Sequence, residues 1–319
     1  MRWLSILVLC AVWTAAAPAS VDDAGHLLAA GQVDEAIATL QREISTSPNN
    51  AEAYNLLCRS HLTLGNWDRG IAACEKAVAL EPDNSRYHLW LGRIYGDKAD
   101  AANFFSAASL AGKVRREFER AVQLSPDNAE ARTDLAEFYL EAPGIVGGGQ
   151  DKARAQSEVL AKLDPARAHW VNGRIAEKRK DAATAEREYR AAIEVSHGDP
   201  NAWLNLALFY RRAHKLDEME DALNHATSAE IREPEVLVDA AETLNRAGRN
   251  FPHAIQLLRR YLSSNSKVEA APAFKAHYVL GNILEKQGDR DAAAQEYRAA
   301  LALASGFSRA QEALDRLNR

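Results

Sequence analysis

The stretch that decides the fold runs from residue 51 to residue 84 and reads AEAYNLLCRSHLTLGNWDRGIAACEKAVALEPDN. Steps of three and four residues place four of its side chains on one helical face: Tyr54, Leu57, Cys58 and His61. Gly65-Asn66 then predicts a tight turn, because glycine tolerates a positive φ. A second apolar face follows at Gly70, Ile71, Cys74, Ala77 and Val78, and Pro82 ends it. The stretch therefore predicts two antiparallel helices joined by a tight turn.

The same pattern recurs along the chain, and six prolines mark its spacing. They are separated by 34, 44, 39, 35 and 34 residues: Pro48, Pro82, Pro126, Pro165, Pro200 and Pro234. The stretch 200–233 repeats the pattern at Trp203, Leu206, Ala207, Tyr210, Leu223 and Ala226, and 274–307 repeats it at Leu280, Gly281, Gly288, Ala293, Tyr297 and Ala300. In this order the pattern resembles the tetratricopeptide repeat family. The resemblance implies an all-α fold, a right-handed α-α superhelix of stacked helical hairpins.

The spacing divides the chain into about eight units. Their predicted bounds are 20–50, 51–84, 85–128, 129–165, 166–199, 200–233, 234–273 and 274–307. Residues 308–319 follow as a capping helix, whose apolar face consists of Ala310, Ala313, Leu314 and Leu317. A cap is expected because the last unit of such an array would otherwise expose its apolar face.

Three units are longer than the pattern requires. An insertion at 103–112, NFFSAASLAG, is expected to lengthen the helices of its unit or to add a turn, and its two phenylalanines are either buried or adhesive. The turn of 129–165 is extended to PGIVGGGQ at 143–150, and 234–273 carries an extra residue near 251–252 before a polar linker. The three glycines of PGIVGGGQ could cradle a phosphate, but the absence of Gly-Lys-Ser/Thr favours a lengthened loop.

Residues 1–19 have the composition of an export signal. Arg2 precedes a mostly apolar stretch, and Ala17-Pro18-Ala19 is a small-x-small cleavage pattern. We therefore expect a signal peptide at 1–19, and a periplasmic or secreted protein without a transmembrane anchor. An uncleaved anchor is the alternative, although the apolar stretch is shorter than the about 20 residues that span a bilayer. Acylation of Cys10 is disfavoured by the bulky Leu9 before it.

Composition and charge exclude several classes of function. The 319 residues are 47% hydrophobic and 26% charged, with a formal net charge of -5 at pH 7. Acidic and basic residues are interleaved along the chain rather than gathered into blocks, so there is no basic stripe that could bind nucleic acid. No two of the nine histidines are four residues apart, and neither a Gly-x-Ser-x-Gly elbow nor a dinucleotide fingerprint occurs. We therefore expect no catalytic residue, no metal site and no cofactor.

Cys58 and Cys74 lie in the two helices of the second unit. The point midway between them is residue 66, in the turn, so an antiparallel hairpin places the two side chains opposite each other. Because export favours oxidation, we expect a disulfide between Cys58 and Cys74. The alternative is that both remain reduced as small core residues.

The first helices of such an array line a concave surface, which commonly binds partners. Projection of the helical period from the buried positions leaves ten candidates for contact with a partner: Arg59, Trp90, Arg93, Glu137, Trp170, Arg174, Asn205, Arg211, Arg212 and Asn282. Trp90 and Trp170 lie beside packing positions, and an aromatic residue near an arginine is typical of interface hot spots. The alternative is that both tryptophans pack under neighbouring repeats.

These features predict a non-catalytic scaffold that binds a protein partner or peptide segment. By the resemblance, exported bacterial proteins of this architecture serve in envelope assembly, secretion or polysaccharide export. Some members of the family clamp a C-terminal carboxylate with Lys and Asn at set places. This chain has Asn55 and Arg59, then Leu89 and Arg93, which disfavours recognition of chaperone tails. The alternative function is an enzyme or a small-ligand receptor that uses the concave groove.

Overall fold

The computed structural model describes residues 20–228 and 233–317, and every regular element within these ranges is helical. Sixteen helices form eight antiparallel pairs: α1 (Val21–Ala30) with α2 (Val33–Thr46), α3 (Ala51–Leu64) with α4 (Trp67–Leu80), α5 (Ser85–Asp100) with α6 (Phe104–Leu124), α7 (Ala129–Glu141) with α8 (Gln150–Leu163), α9 (Pro165–Lys178) with α10 (Ala182–Val195), α11 (Pro200–Arg212) with α12 (Leu216–Ser228), α13 (Glu235–Ala247) with α14 (Phe251–Ser263), and α15 (Ala273–Lys286) with α16 (Arg290–Leu303). A final helix, α17 (Ser308–Leu317), follows. The predicted all-α array of hairpins is confirmed, whereas the predicted signal peptide at 1–19 lies outside the described residues.

Five of the six prolines that mark the repeat spacing have one of two structural roles. Three of them lie two residues before an asparagine whose side-chain oxygen accepts a backbone N–H from the first turn of the next helix: Asn50, Asn84 and Asn128. Pro165 and Pro200 instead occupy the first positions of α9 and α11. A proline is tolerated there because its missing N–H would have no partner within the helix.

Within a pair, the helices meet where a small residue faces a large one. A Cβ atom added to Gly92 on α5 would lie 2.5 Å from the ring of Phe118 on α6. The same relation holds between Gly281 on α15 and the ring of Tyr297 on α16, again at 2.5 Å. The pattern of small and large residues along the sequence therefore reflects how closely the backbones of paired helices approach each other.

The insertion at 103–112 lengthens α6 rather than adding a separate turn. This helix has 21 residues, whereas α4, α10 and α16 have 14 each. Asn103 begins the extension, since its side chain accepts the backbone N–H of Ser106 at 3.1 Å. Across the described residues, α6 included, no helix combines the length and apolar composition that a membrane-spanning segment needs.

The glycine-rich stretch between α7 and α8 is a tightly folded loop. The backbone N–H groups of Gly147 and Gly148 donate to carbonyl oxygens of the same connection at 3.0 and 3.2 Å, and that of Gly149 donates to the carbonyl oxygen of Tyr139 on α7 at 2.8 Å. A Cβ atom on Gly148 would lie 1.7 Å from the carbonyl oxygen of Ala142. The loop is therefore one that only glycine permits, and its three N–H groups are not free to bind a phosphate.

The two ends of the helical array are in contact, and we call this contact the seam. One buried apolar cluster contains Leu28 and Leu40 from the first helix pair together with Phe274 and Phe307 from the C-terminal end. The rings of Phe274 and Phe307 pack edge to face with centroids 4.9 Å apart. Burial of each such side chain stabilises the fold by about 1.5–3 kcal/mol. The solenoid therefore closes into a ring, which an open array with a simple cap would not do.

Polar contacts reinforce the seam. The backbone N–H of Ser305 donates to Asp34 at 2.8 Å, and Arg59 on α3 pairs with Glu269 in the loop before α15. Gly31, with φ +82°, packs so closely that an added Cβ atom would lie 2.6 Å from the backbone nitrogen of Ala273. The terminal helix also packs as predicted, with Ala310, Ala313 and Leu317 buried.

Candidate functional site

A cavity of about 550 Å³ opens on the concave face beside the seam. Its walls come from α3, α5, α7, α15, α17 and the loop at 269–270, so it joins the second and third repeats to the C-terminal end. We call it the Trp90 cavity. Most of its polar lining is charged, with four cations and three carboxylates: Arg59, Arg93, Lys275, Arg309, Asp97, Glu130 and Glu269.

Trp90 contacts two guanidinium groups. The Cζ atom of Arg59 lies 4.8 Å from the centroid of the indole ring and that of Arg93 lies 4.7 Å from it. Both distances are within the range of a cation–π interaction, which contributes about 0.5–1 kcal/mol at exposed sites. The indole is only half-buried, so part of it remains accessible.

Carboxylates hold both arginines in place. The Nε atom of Arg59 donates to Glu269 at 2.9 Å, and Arg93 donates to Asp134 at 2.7 Å and to Glu130 at 2.6 Å. Burial disfavours the charge of Arg93, but its two carboxylate partners outweigh burial and raise its pKa. The geometry around the indole is therefore set before any partner binds.

Two other cations of the cavity are not engaged in this way. Lys275 on α15 and Arg309 on α17 have no ion pair within 4.0 Å among residues 20–228 and 233–317. Burial lowers the pKa of Lys275, while Asp97 across the cavity opposes that change. The cavity thus presents positive charge that an anionic group of a ligand could neutralise.

The concave face beyond the cavity is crowded with charge. Burial raises the pKa of Asp239 on α13 to about 6, and the neighbouring Glu242 and Glu235 add to the effect. The Asp239 side chain is nevertheless exposed to solvent. The protein that surrounds it inside the ring therefore raises its pKa without excluding water from the carboxyl group. The surrounding protein likewise raises the pKa of Glu137 by partial desolvation, although the side chain is exposed, and Arg174 opposes this effect.

Three of the ten predicted contact residues meet in the Trp90 cavity, namely Arg59, Trp90 and Arg93. Farther along the concave face, Arg174 lies 5.9 Å from the centroid of Trp170 and pairs with Glu141 at 2.5 Å. Trp170 itself packs against apolar clusters on both sides. Trp170 therefore packs between neighbouring repeats.

The remaining candidates are distributed over α7, α11 and α15. Glu137 is exposed, and Asn205 and Arg211 are half-buried. Arg212 donates two hydrogen bonds to Glu177, both at 2.7 Å, and Asn282 accepts one from the hydroxyl of Tyr297 at 2.9 Å. Arg212 and Asn282 thus already have partners within the fold, and neither lines the Trp90 cavity.

Sequence reasoning missed Lys275, Arg309 and Glu269. They lie more than 170 residues from Trp90, and only closure of the ring brings them near it. No local pattern marks them, because the helical period relates residues of one helix and says nothing about which repeats meet at the ends.

The structure also places the cysteines and histidines. Cys58 and Cys74 form a disulfide between α3 and α4, with their Cα atoms 5.2 Å apart. The Nδ1 atoms of His88, His169 and His277 lie 2.7, 2.9 and 2.6 Å from glutamates of the paired helices. Within the described ranges, no group of three or more His, Cys, Asp or Glu side chains is arranged to hold a metal ion.

Comparisons with known proteins identify the repeats. Two stretches, 27–95 and 274–307, match models of the tetratricopeptide repeat. Sperm-associated antigen 1 of Rattus norvegicus is 26% identical over 134 residues, 42% of this chain and 14% of that protein. Protein O-mannosyl-transferase TMTC3 of Homo sapiens is 19% identical over 227 residues, 69% of this chain and 25% of that protein. This chain thus spans only a small part of each relative's length.

One solved structure supports the fold directly. The crystal structure of yeast Tom70 superposes with a TM-score of 0.53 at 15% identity, covering 90% of this chain and 59% of that one. Similarity at this level of identity concerns the fold alone. The chain therefore contains tetratricopeptide repeats within an all-helical solenoid, an architecture that generally mediates protein–protein interaction.

Proposed function

We propose that this protein is a non-catalytic scaffold that binds a segment of a partner protein on its concave face, centred on the Trp90 cavity. The observation that carries the proposal is a half-buried indole held between two fixed arginines, beside the cations Lys275 and Arg309. Tryptophan and arginine in a concave, preorganised setting are the residues that dominate protein–protein binding energies.

The charges of the cavity indicate the chemistry of the segment. Arg59 and Arg93 are neutralised by carboxylates of the protein itself, whereas Lys275 and Arg309 have none within 4.0 Å among the described residues. A partner that places an apolar or aromatic side chain on Trp90 and a carboxylate near these two cations would satisfy both features. Such a pairing favours the correct partner and register.

Binding is tested by affinity capture from a cell-envelope extract with quantitative mass spectrometry. The variants are Trp90→Ala and the double variant Lys275→Ser with Arg309→Ser. The control is Arg187→Ser, which removes an exposed cation of α10. We expect the same partner to be lost from both cavity variants and kept by the control. Unchanged capture by Trp90→Ala, or equal loss from Arg187→Ser, would contradict the proposal.

The alternative is a receptor or enzyme that acts on a small molecule in the same cavity. Its volume of about 550 Å³ lies within the about 300–1,000 Å³ of small-ligand sites. A thermal-shift screen distinguishes the two functions. Stabilisation by a small molecule, abolished in Trp90→Ala and without any captured protein, would replace the scaffold with this alternative.

We further propose that the chain is exported, on the basis of the charge, apolar stretch and cleavage pattern of residues 1–19. In bacterial cells that express the whole chain, the protein is expected in the periplasm or medium with Ser20 as its first residue. A variant that lacks residues 2–19 should remain in the cytoplasm. Mass spectrometry of the fractionated protein tests this, and an intact N-terminus on cytoplasmic protein would refute export.

A further inference from the structure

An apolar groove of about 320 Å³, which shares no lining residue with the Trp90 cavity, lies where α5, α6, α7 and the short helical turn Gly144–Val146 meet. We call it the insertion groove, because the insertion at 103–112 and the extended turn at 143–150 build it. The extension of α6 contributes Ala107, Ala108 and Ala111, and the extended turn after α7 contributes Ile145 and Val146. Phe138 of α7 forms part of the same lining.

The groove is preformed, because both insertions are held by specific contacts. The extended turn is fixed by the N–H of Gly149, which donates to the carbonyl of Tyr139 at 2.8 Å. Gly147, with φ +103°, packs against the guanidinium of Arg115 on α6, so the turn is fitted to the lengthened helix. A preformed groove binds a ligand without the cost of ordering its own walls.

The edge of this groove carries the three most exposed large apolar side chains of the described residues. The exposed fractions of these side chains are 76% for Phe104, 84% for Phe105 and 94% for Ile145. No other large apolar side chain among the described residues is more than 44% exposed. The rings of Phe104 and Phe105 pack edge to face, 5.7 Å apart. Clustered exposed apolar residues beside a groove mark an interaction surface.

The groove carries one carboxylate without a compensating cation, that of Asp100. Asp100 and Glu141 line it at the C-terminal ends of α5 and α7, where the helix dipoles are also negative. Glu141 pairs with Arg174 and Lys178 at 2.5 and 2.6 Å, but Asp100 has no ion pair within 4.0 Å in the described ranges. Burial, Asp97 and Glu141 together raise the pKa of Asp100, as expected for a carboxylate without a compensating cation.

This charge selects among the possible occupants. A second copy of the chain would bring its own Asp100 to the contact along with its phenylalanines, so two carboxylates without a compensating cation would face each other. An anionic membrane surface would be repelled as well. A segment with both apolar and basic residues satisfies the groove and Asp100 together.

We propose that the insertion groove binds an amphipathic helical segment of a second partner protein, which inserts large apolar side chains beside Ile145 and places a Lys or Arg next to Asp100. Helices of this kind bind apolar grooves through residues spaced three and four apart. The site is separate from the Trp90 cavity, so the protein would join two partners.

The probe is a phage-displayed random peptide library of about 16 residues, long enough for about four helical turns. It is selected on the full chain and counter-selected on the double variant Phe105→Ser with Ile145→Ser. Both substituted side chains are highly exposed, so the variant should keep its fold. Circular dichroism of the variant checks this. We expect enriched peptides to carry apolar residues at helical spacing and at least one basic residue.

An enriched peptide is then measured by fluorescence anisotropy. The double variant should weaken binding about tenfold or more, equivalent to at least about 1.4 kcal/mol, and Asp100→Asn should weaken it about threefold or more. Val195→Ser, at an apolar site of α10 that is 44% exposed, should leave binding unchanged. Trp90→Ala should also have no effect, which separates this site from the concave one.

Several results would overturn the proposal. These are the absence of enrichment over the double variant, enrichment of acidic peptides, or equal weakening by Val195→Ser. Concentration-dependent dimers in sedimentation velocity that Phe105→Ser abolishes would assign the groove to a second copy. Cosedimentation with phosphatidylglycerol vesicles that the same variant abolishes would assign it to a lipid surface.

Discussion

Gly92 shows how a single position sets the spacing between paired helices. Its missing side chain lets α5 approach the ring of Phe118 on α6, and other small residues do the same in other pairs. Gly96, one turn later on the same helix, has no atom within 4 Å of an added Cβ. Two glycines on one helix thus have different physical roles, which only the neighbouring helix distinguishes.

Gly92→Ala is expected to destabilise the protein by about 1–3 kcal/mol, because the added methyl group overpacks a filled site. Gly96→Ala is the matched control and should stabilise by up to about 1 kcal/mol, since alanine is the better helix former. Urea unfolding followed by circular dichroism measures both. A neutral Gly92→Ala would mean that Phe118 can move aside at no cost.

The second repeat is an element held by a covalent link as well as by packing. Cys58 and Cys74 are fully buried and bonded across α3 and α4. The same hairpin supplies Arg59 to the Trp90 cavity and to the seam. The bond therefore stabilises an element that contributes to both the binding surface and the closure of the ring.

Replacement of both cysteines by alanine is expected to cost about 2–3 kcal/mol, because the unfolded chain loses the loop constraint of the bond. Reductant should lower the unfolding midpoint of the natural chain towards that of the variant and leave the variant unchanged. Equal midpoints for the natural chain with and without reductant would show that the two thiols are not bonded in solution. Mass spectrometry after alkylation of the unreduced protein provides an independent check.

At the scale of the whole molecule, the seam turns an array into a ring. It rests on a small apolar cluster, the pair of Arg59 with Glu269, and the close approach of Gly31 to Ala273. Because Lys275 and Arg309 reach the Trp90 cavity only when the ends meet, closure completes the candidate binding site. Opening the ring should therefore weaken partner binding as well as change the shape.

Gly31→Ala is expected to open the seam, since its Cβ would lie 2.6 Å from a backbone nitrogen that cannot rotate away. Gly65→Ala is the control, because Gly65 has a similar φ of +73° but no atom within 4 Å. Both should share the about 1–2 kcal/mol of backbone strain, while only Gly31→Ala should increase the radius of gyration in small-angle X-ray scattering. Identical scattering from the two variants would contradict this role of the seam.

The sequence by itself determined the elements and their order. Periodicity, proline spacing and the small and large positions predicted eight helical hairpins, and the helical period placed Arg59, Trp90 and Arg93 on the concave face. These features depend on contacts within a repeat or between adjacent repeats, which a local pattern encodes. The tertiary structure alone decided that the ends meet, that Lys275 and Arg309 join Trp90, and that two separate insertions form one groove. Those contacts depend on small rotations summed over many repeats, so no single stretch of sequence specifies them.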